Sequence, residues 1–594
     1  MDQHAWAVHA LALLIVVFGG LLRLDAFAGK YQPLNRPAWA RVLTHDIASQ
    51  AATLRPASVI WTPEAHPYAG GDPINYLRFA REMEGFYQPH VREPVYLANI
   101  RAWLWALGGQ DAAVGFASMA GSTLAVLGTF LVGSALLSPF AGLFAALLMA
   151  IEYEVIAWAP DGWRDDTFTA TVLFAAWALI RLRQRPSTAN AVVAGALCGL
   201  SCLTRITALT FVVPAVVWLV ADVPRAARRQ MARQAAIAVG MLALVVAPYL
   251  ISCAIATGDP LISINYHTIY YRHAEGRSID EPMSAAAYLR TRFTERPIGT
   301  IDTALNGLFV QPFIKKWNGL DHWIVGLGGV LPWIAAAGLA ALPFFAAGRL
   351  LVVILLSSLA PYMVTWNLGG GSEWRFTMHA YPFYLVAAGC AAVAAVRVAR
   401  GLVTNRTALR RATVVPLAVR TGLVAAVASL GVIAYFVLPW FVTREAIADG
   451  ASTSVNTGER DLVFYRSGWS PAHKEGITVR VSRGDRSVVR IPLPEKRQCD
   501  IVLRIDPVDP ARLEPVSVLF NRHLVGVLRL TWNPERVGSY RVRVADHMVR
   551  ADNELTIIPG AVVPAGSAGP RFAWLDPTDR IGVRLWYVRV LPMP

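Results

Sequence analysis

What most constrains this chain is the recurrence of long apolar stretches. A helix needs roughly 17–25 such residues to cross a hydrocarbon core of about 30 Å. About eleven stretches reach or approach that length, at roughly 5–22, 112–134, 139–157, 167–182, 190–204, 206–221, 235–256, 323–345, 350–366, 379–396 and 419–441. Composition agrees: of 594 residues, 55% are hydrophobic and 16% charged, with a mean hydropathy of +0.42, too oily for one soluble globular protein. A disordered chain or a nucleic-acid-binding tail protein is excluded on the same ground. The first stretch has the length of a signal peptide, but Met1 to His9 lacks Lys and Arg and no small-x-small cleavage site follows Arg23, so it reads as an uncleaved span.

The formal charge of +15 follows from topology. Counted from a cytoplasmic N-terminus, the loops at 181–190, 221–234, 347–350 and 397–420 face inward. They hold the arginine runs Arg181 to Arg185, Arg225 to Arg233 and Arg397 to Arg420, with Asp222 as their only acidic residue. That asymmetry obeys the positive-inside rule. Three long polar regions then face outward: loops of about 23–111 and 257–322, and the tail after Val442. The tail carries short alternating runs, such as Ile477 to Val481 and Val516 to Phe520, broken by turn signals at Arg483-Gly-Asp-Arg486 and Asn521-Arg-His523. It reads as an antiparallel β-sandwich of jelly-roll type, which sets two domains, 1–445 and 446–594. The five cysteines are scattered and give neither a disulfide framework nor a metal-site spacing.

Ionisable residues gather at the outer ends of the spans. Asp72 precedes Pro73 at the start of a short amphipathic helix, the usual N-cap and N1 pair; a carboxylate held there rigidly would also serve as a general base. Asp161-Gly-Trp-Arg-Asp-Asp166 fills the turn before the fourth span, where Asp165 and Asp166 favour the helix dipole. Charges at membrane depth are also functional candidates by default. Arg205 and Arg375 lie at the same lip against the positive-inside bias, each suited to snorkelling, to pairing with a carboxylate or to gripping a phosphate bidentately. Trp61, Trp158, Trp163, Trp366 and Trp374 lie in the same outer turns, as belt residues or as stacking surfaces for a sugar.

Taken in order, these segments resemble the GT-C glycosyltransferases, in particular the protein O-mannosyltransferases and the lipid A aminoarabinose transferase. The resemblance covers roughly 1–400. Gly-Asp-Pro-Ile-Asn-Tyr76, then Ala80-Arg-Glu-Met83 and Arg92-Glu-Pro-Val-Tyr96, follow the family's acidic motif, helix and Lys-Pro-Pro-Leu-Tyr-like segment. Arg164 and Asp166 match its Arg-x-Asp, with Asp165 a competitor; Leu203-Thr-Arg205 matches its Leu-Thr-Lys; Arg375, His379 and Tyr381-Pro-Phe-Tyr384 match its late motif. Pro73 stands where many members have Glu, and 26–69 looks like an insertion. Asp25, at the end of the first span, ranks behind Asp72 because its context resembles a non-catalytic turn.

The resemblance implies a polytopic α-helical membrane protein of GT-C type: an inverting glycosyltransferase in a bacterial cytoplasmic membrane with its C-terminal domain outside. It implies a polyprenyl-phosphate-linked sugar donor, an acceptor hydroxyl on a glycan, lipid or protein, and no nucleic acid. Asp72 is then the catalytic base, Asp166 its catalytic companion, and Arg164, Asp165, Arg205, Arg375, His379 and Asp25 bind substrate. No cofactor is required; a divalent metal, Mg or Mn, occurs in relatives, although no ligand set is visible here. A non-catalytic glycan-binding scaffold would have no use for the acidic pair. A lipid-linked-glycan transporter would place polar groups at the bilayer midplane instead of at the lip.

Overall fold

The computed structural model describes residues 3–31, 72–275, 278–308, 313, 317–363, 374–404, 431, 433–456, 460–475, 477–494, 498–533 and 537–593. Trp61, Trp366, most of the expected insertion at 26–69 and most of the expected span at 419–441 lie outside the described residues. The chain divides into two compact units, Met1–Thr291 with Thr303–Leu417, and Arg292–Asp302 with Ala418–Pro594. The boundary expected at 445/446 lies inside the second unit.

The first unit is helical. Among the described residues, five helices are long and apolar enough to cross a membrane: Trp6–Ala28, Ala113–Leu136, Arg225–Thr257, Leu327–Phe344 and Arg375–Val396. The chain is a multi-pass membrane protein. The other expected spans take different forms. The stretch at 139–157 is broken by 54° between Pro139–Ile151 and Tyr153–Asp161. At the break, the Glu152 side chain accepts from the backbone N–H of Glu154 at 3.3 Å and from the Tyr381 hydroxyl at 2.6 Å, so a buried carboxylate interrupts the helix where it finds partners. Thr188–Thr204, Ile206–Ala221 and Ala346–Tyr362 are apolar but shorter, and Arg164–Gln184 opens on three charged residues and closes on Arg181 and Arg183.

Packing rests on small residues, as expected where lipid removes the hydrophobic contrast between helices. A Cβ on Gly195 would lie 2.2 Å from the Ala238 carbonyl, bringing Thr188–Thr204 against Arg225–Thr257. A Cβ on Gly121 would lie 2.6 Å from the Thr167 backbone nitrogen, so Ala113–Leu136 runs backbone to backbone against the first turn of Arg164–Gln184. This contact sets where Asp165 and Asp166 stand. Gly121→Val is therefore expected to cost about 1–3 kcal/mol by overpacking, read as a lower Tm in detergent; an unchanged Tm would show that the two helices can separate freely.

The second unit is built from two antiparallel sheets. The seven-stranded sheet centres on Arg580–Pro592, flanked by Ile477–Arg483 and Cys499–Pro507. The five-stranded sheet runs through Ser487–Ile491, Asn553–Ile558, Val516–Phe520 and His523–Leu528, with Tyr465–Ser467 at its edge. Ile501, Leu503 and Ile505 of one sheet and Val489, Val518 and Leu555 of the other belong to a single buried cluster. The turn signals act as the sequence implies. Asn521 and Arg522 have φ of 48° and 73° and close a two-residue hairpin between Val516–Phe520 and His523–Leu528, the backbone a type I′ turn requires. The turn at 484–486 links strands that belong to different sheets. The segment Arg292–Asp302, expected in an outer loop of the first domain, belongs to this unit. Glu445 accepts from the Ile298 and Gly299 N–H groups at 3.2 and 2.8 Å, at the start of the helix Pro297–Leu305, and Arg460 pairs with Asp302.

Candidate active site

Asp72 opens the helix Asp72–Glu82, and Tyr76, one turn on, donates its hydroxyl to Asp72 Oδ2 at 3.4 Å. Two arginines from distant parts of the chain close on the same carboxylate. Arg92 Nη2 donates to Oδ1 at 3.2 Å, and Arg375 Nη1 donates to Oδ2 at 3.4 Å. Arg375 reaches on to Asp165 Oδ2 at 3.9 Å and lies with its guanidinium 3.7 Å from the centre of the Trp163 ring. Asp165 pairs at 2.8 Å with Arg205, whose other nitrogen donates to the Tyr362 hydroxyl at 2.5 Å. Arg164 pairs with Glu93, and the second oxygen of Glu93 accepts from the Ile206 backbone N–H at 2.8 Å.

Among the described residues, the result is a network of four arginines sharing three carboxylates, one positive charge in excess. Its members come from the first-loop helix, the segment before Pro94–Ala106, the first turn of Arg164–Gln184, the end of Thr188–Thr204 and the turn Trp374–Ala380. Asp165 and Glu93 are 2% and 3% exposed, whereas the Asp72 side chain is 29% exposed, so Asp72 is the carboxylate of the three that another molecule can reach. Burial pushes the Asp72 carboxyl up, but the Arg92, Arg375 and Arg164 charges outweigh it and hold the group below its ordinary value, ionised at neutral pH. The Nε–H groups of Arg92, Arg164 and Arg205 are buried and have no hydrogen-bond partner among the described residues. Buried orphan donors are costly, and here three of them belong to one cationic cluster.

The remaining candidates are placed differently. Asp166 sits on the same helix turn as Asp165 but, about 100° around the axis, it accepts from Ser118 at 3.0 Å, beside the Ser122 hydroxyl that Arg23 engages. Arg375 thus links Asp72 with Asp165, the residue the motif match ranked second, while Asp166 ties its helix to Ala113–Leu136. His379 is buried, with Nε2 3.2 Å from the Ser358 carbonyl and its ring edge-on to Phe168. Asp25 is buried on the helix Gln3–Tyr31. Trp158 and Trp163 lie near each other, their ring centres 6.3 Å apart.

Three positions in or beside the network carried no assigned role in the sequence reading. Arg92 and Glu93 were visible only as part of a motif, although two adjacent opposite charges before a proline at a membrane lip are a usable signal. His267, which meets Arg92, lies in Asn-Tyr-His-Thr268 with no pattern to mark it. Among the described residues, no three of His, Cys, Asp and Glu come together as a metal-binding group. The site's carboxylates each face a guanidinium, a donor set that does not fit a divalent cation.

Residues 92–251 match the family model described as dolichyl-phosphate-mannose-protein mannosyltransferase. No curated protein matches the chain. Among solved structures, the archaeal oligosaccharyltransferase AglB from Archaeoglobus fulgidus, in complex with an inhibitory peptide and a dolichol-phosphate, is similar at 15% identity and a TM-score of 0.40, over 72% of this chain and 55% of that one. ArnT from Cupriavidus metallidurans, bound to undecaprenyl phosphate, is similar at 14% identity and a TM-score of 0.41, over 76% of this chain and 73% of that one. The chain thus spans about half the length of the oligosaccharyltransferase it matches. The matched segment begins at the arginine that grips Asp72 and takes in Glu93, the helix bearing Arg164 to Asp166, and Arg205.

Proposed function

We propose that the protein transfers a sugar from a polyprenyl-phosphate donor to an acceptor hydroxyl at the outer face of a bacterial cytoplasmic membrane, with inversion at the anomeric carbon. The observation that carries this reading is the reachable, ionised Asp72 set among arginines with unused buried donors. A phosphate meets both needs, since its oxygens accept from guanidinium groups and its charge matches the excess of the cluster.

The acceptor oxygen bonds to the anomeric carbon while the bond from that carbon to the phosphate oxygen breaks. The acceptor's proton passes to Asp72, and the lipid phosphate departs with the bonding pair. A carboxylate clamped by two arginines is a weak base. As Arg92 and Arg375 turn part of their donor capacity to the phosphate, Asp72 regains basicity at the moment it is needed, and the same arginines stabilise the charge on the leaving group. Asp165 and Glu93 hold Arg205 and Arg164 in place. A cytoplasmic N-terminus follows from the arginine-rich loops and puts the Asp72 end of the helices outside. The second unit, whose two sheets share one core, is read as a β-sandwich, and the acceptor is left as a hydroxyl on glycan, lipid or protein.

The test is transfer of radiolabel from a panel of polyprenyl-phosphate sugars by the full-length protein in proteoliposomes. Product from one donor identifies the sugar. A protein that binds polyprenyl phosphate yet forms product from no donor with any hydroxyl acceptor would overturn the enzymatic reading.

A further inference from the structure

His267 lies in the outer segment between Arg225–Thr257 and Ala285–Glu295, on the turn that joins the short helices Ile262–Asn265 and Thr268–Ala274. Its Nδ1 is 2.6 Å from the Ser263 carbonyl, and its Nε2 meets Arg92 Nη1. A carbonyl can only accept and a guanidinium can only donate, so the two contacts dictate the tautomer: Nδ1 carries the hydrogen and Nε2 carries the lone pair. The other Arg92 nitrogen, Nη2, is the one that donates to Asp72. Arg92 is therefore held from both sides, by a carboxylate that the reaction uses and by an imidazole that it does not.

We propose that neutral His267 is a positioning residue, which fixes the Arg92 guanidinium in the plane from which it serves Asp72 and a bound phosphate. The proposal deepens the glycosyltransferase reading and rests on it for the identity of the phosphate. Without the imidazole acceptor, Arg92 keeps one hydrogen-bonded anchor, Asp72, beside the face of the Tyr76 ring, and a long side chain with one directional anchor loses its orientation. The neighbours reinforce the assignment. Tyr249, on the preceding long helix, donates to the His90 carbonyl at 2.7 Å, and the Arg92 backbone N–H donates to His90 Nδ1 at 3.0 Å, so the stretch that presents Arg92 is itself braced.

The charged and titratable groups facing His267 are Arg92, Arg164 and Arg205, with the Tyr266 and Tyr270 rings beside it. Burial, then the arginine charges, push the imidazole down to about 3 from its ordinary 6.5. The unfolded chain takes up a proton below 6.5 that the folded one refuses. His267 thus contributes stability that is present above pH 6.5 and lost as pH falls from 6.5 towards 3.

The experiment uses the full-length protein in detergent, with undecaprenyl phosphate as the probe, and four variants: His267→Phe, His267→Gln, Arg92→Ala, and His267→Phe with Arg92→Ala. Loss of one charge-assisted hydrogen bond predicts that His267→Phe weakens lipid-phosphate binding about tenfold. His267→Gln, whose amide oxygen can accept from Arg92, should stay within about threefold of wild type. In the Arg92→Ala background, His267→Phe should cost nothing further in affinity, because its partner is gone, and less in Tm than in the wild-type background, because only the Ser263 contact is then lost. Equal losses in both backgrounds, or full affinity in folded His267→Phe, would overturn the proposal. If wild type binds no lipid phosphate, the functional reading falls, while the Tm cycle still decides whether His267 positions Arg92. If His267→Phe does not fold, the pH profile decides: wild-type Tm should fall more steeply than that of His267→Gln below pH 6.5, and parallel profiles would refute the assignment.

Discussion

Asp72→Asn is expected to lower transfer by about 10²- to 10⁴-fold, the range over which a positioned general base acts. The substitution keeps the shape of the side chain and an oxygen for Arg92 or Arg375, so the fold has little reason to change. It also removes a negative charge from a cluster that already carries an excess positive one. Affinity for the lipid phosphate should hold or rise as turnover collapses, a split that a merely structural role would not produce. Single-turnover transfer together with a separate lipid-binding measurement checks both halves. Turnover near wild type would remove Asp72 from the chemistry, and parallel loss of binding and turnover would mean that its part is to hold the arginines.

Glu93→Ala should be the most damaging change to stability, at about 3–5 kcal/mol, because it breaks a buried pair and leaves the partner charge behind. Glu93 is 3% exposed and Arg164 5% exposed. The substitution takes the carboxylate from Arg164 and the acceptor from the Ile206 backbone N–H. That N–H lies just past Arg205, at the start of the turn Ile206–Ala208, so the loss also loosens the grip of Arg205 on Asp165. Glu93→Gln keeps an acceptor for Ile206 but no charge for Arg164, and should fall between wild type and Ala. Thermal unfolding in detergent reads the series; coincident melting of all three proteins would show that the pair carries no net weight in this fold.

Much of the architecture was legible because it depends on periodicity and composition. Lipid-spanning helices announce themselves through unbroken apolar length. The hairpin at Asn521 and Arg522 shows in alternating strands around residues that tolerate positive φ. Where the reading strayed, a particular side chain is responsible. Glu152 breaks a stretch that is apolar enough to be continuous, because Tyr381, more than two hundred residues later, meets its carboxylate. The segment Arg292–Asp302 joins the second unit because Glu445 caps its helix and Arg460 holds Asp302, pairings that nothing local reveals.

The site shows the same division. Which residues were candidates for chemistry was present in the sequence: an acidic residue opening a short helix, and acidic and basic residues at the ends of apolar stretches. Which of them meet was decided by the tertiary structure. Asp165 and Asp166 are adjacent in sequence and equal in chemistry, yet helical rotation turns one to Arg205 and Arg375 and the other to Ser118. Their direction depends on the backbone contact at Gly121, and Arg375 reaches Asp72 across 303 positions of chain. The membrane-spanning character of the chain is a sum over residues and can be read one residue at a time. An ion-pair network is a set of distances between distant segments, and only close packing of the helices determines those.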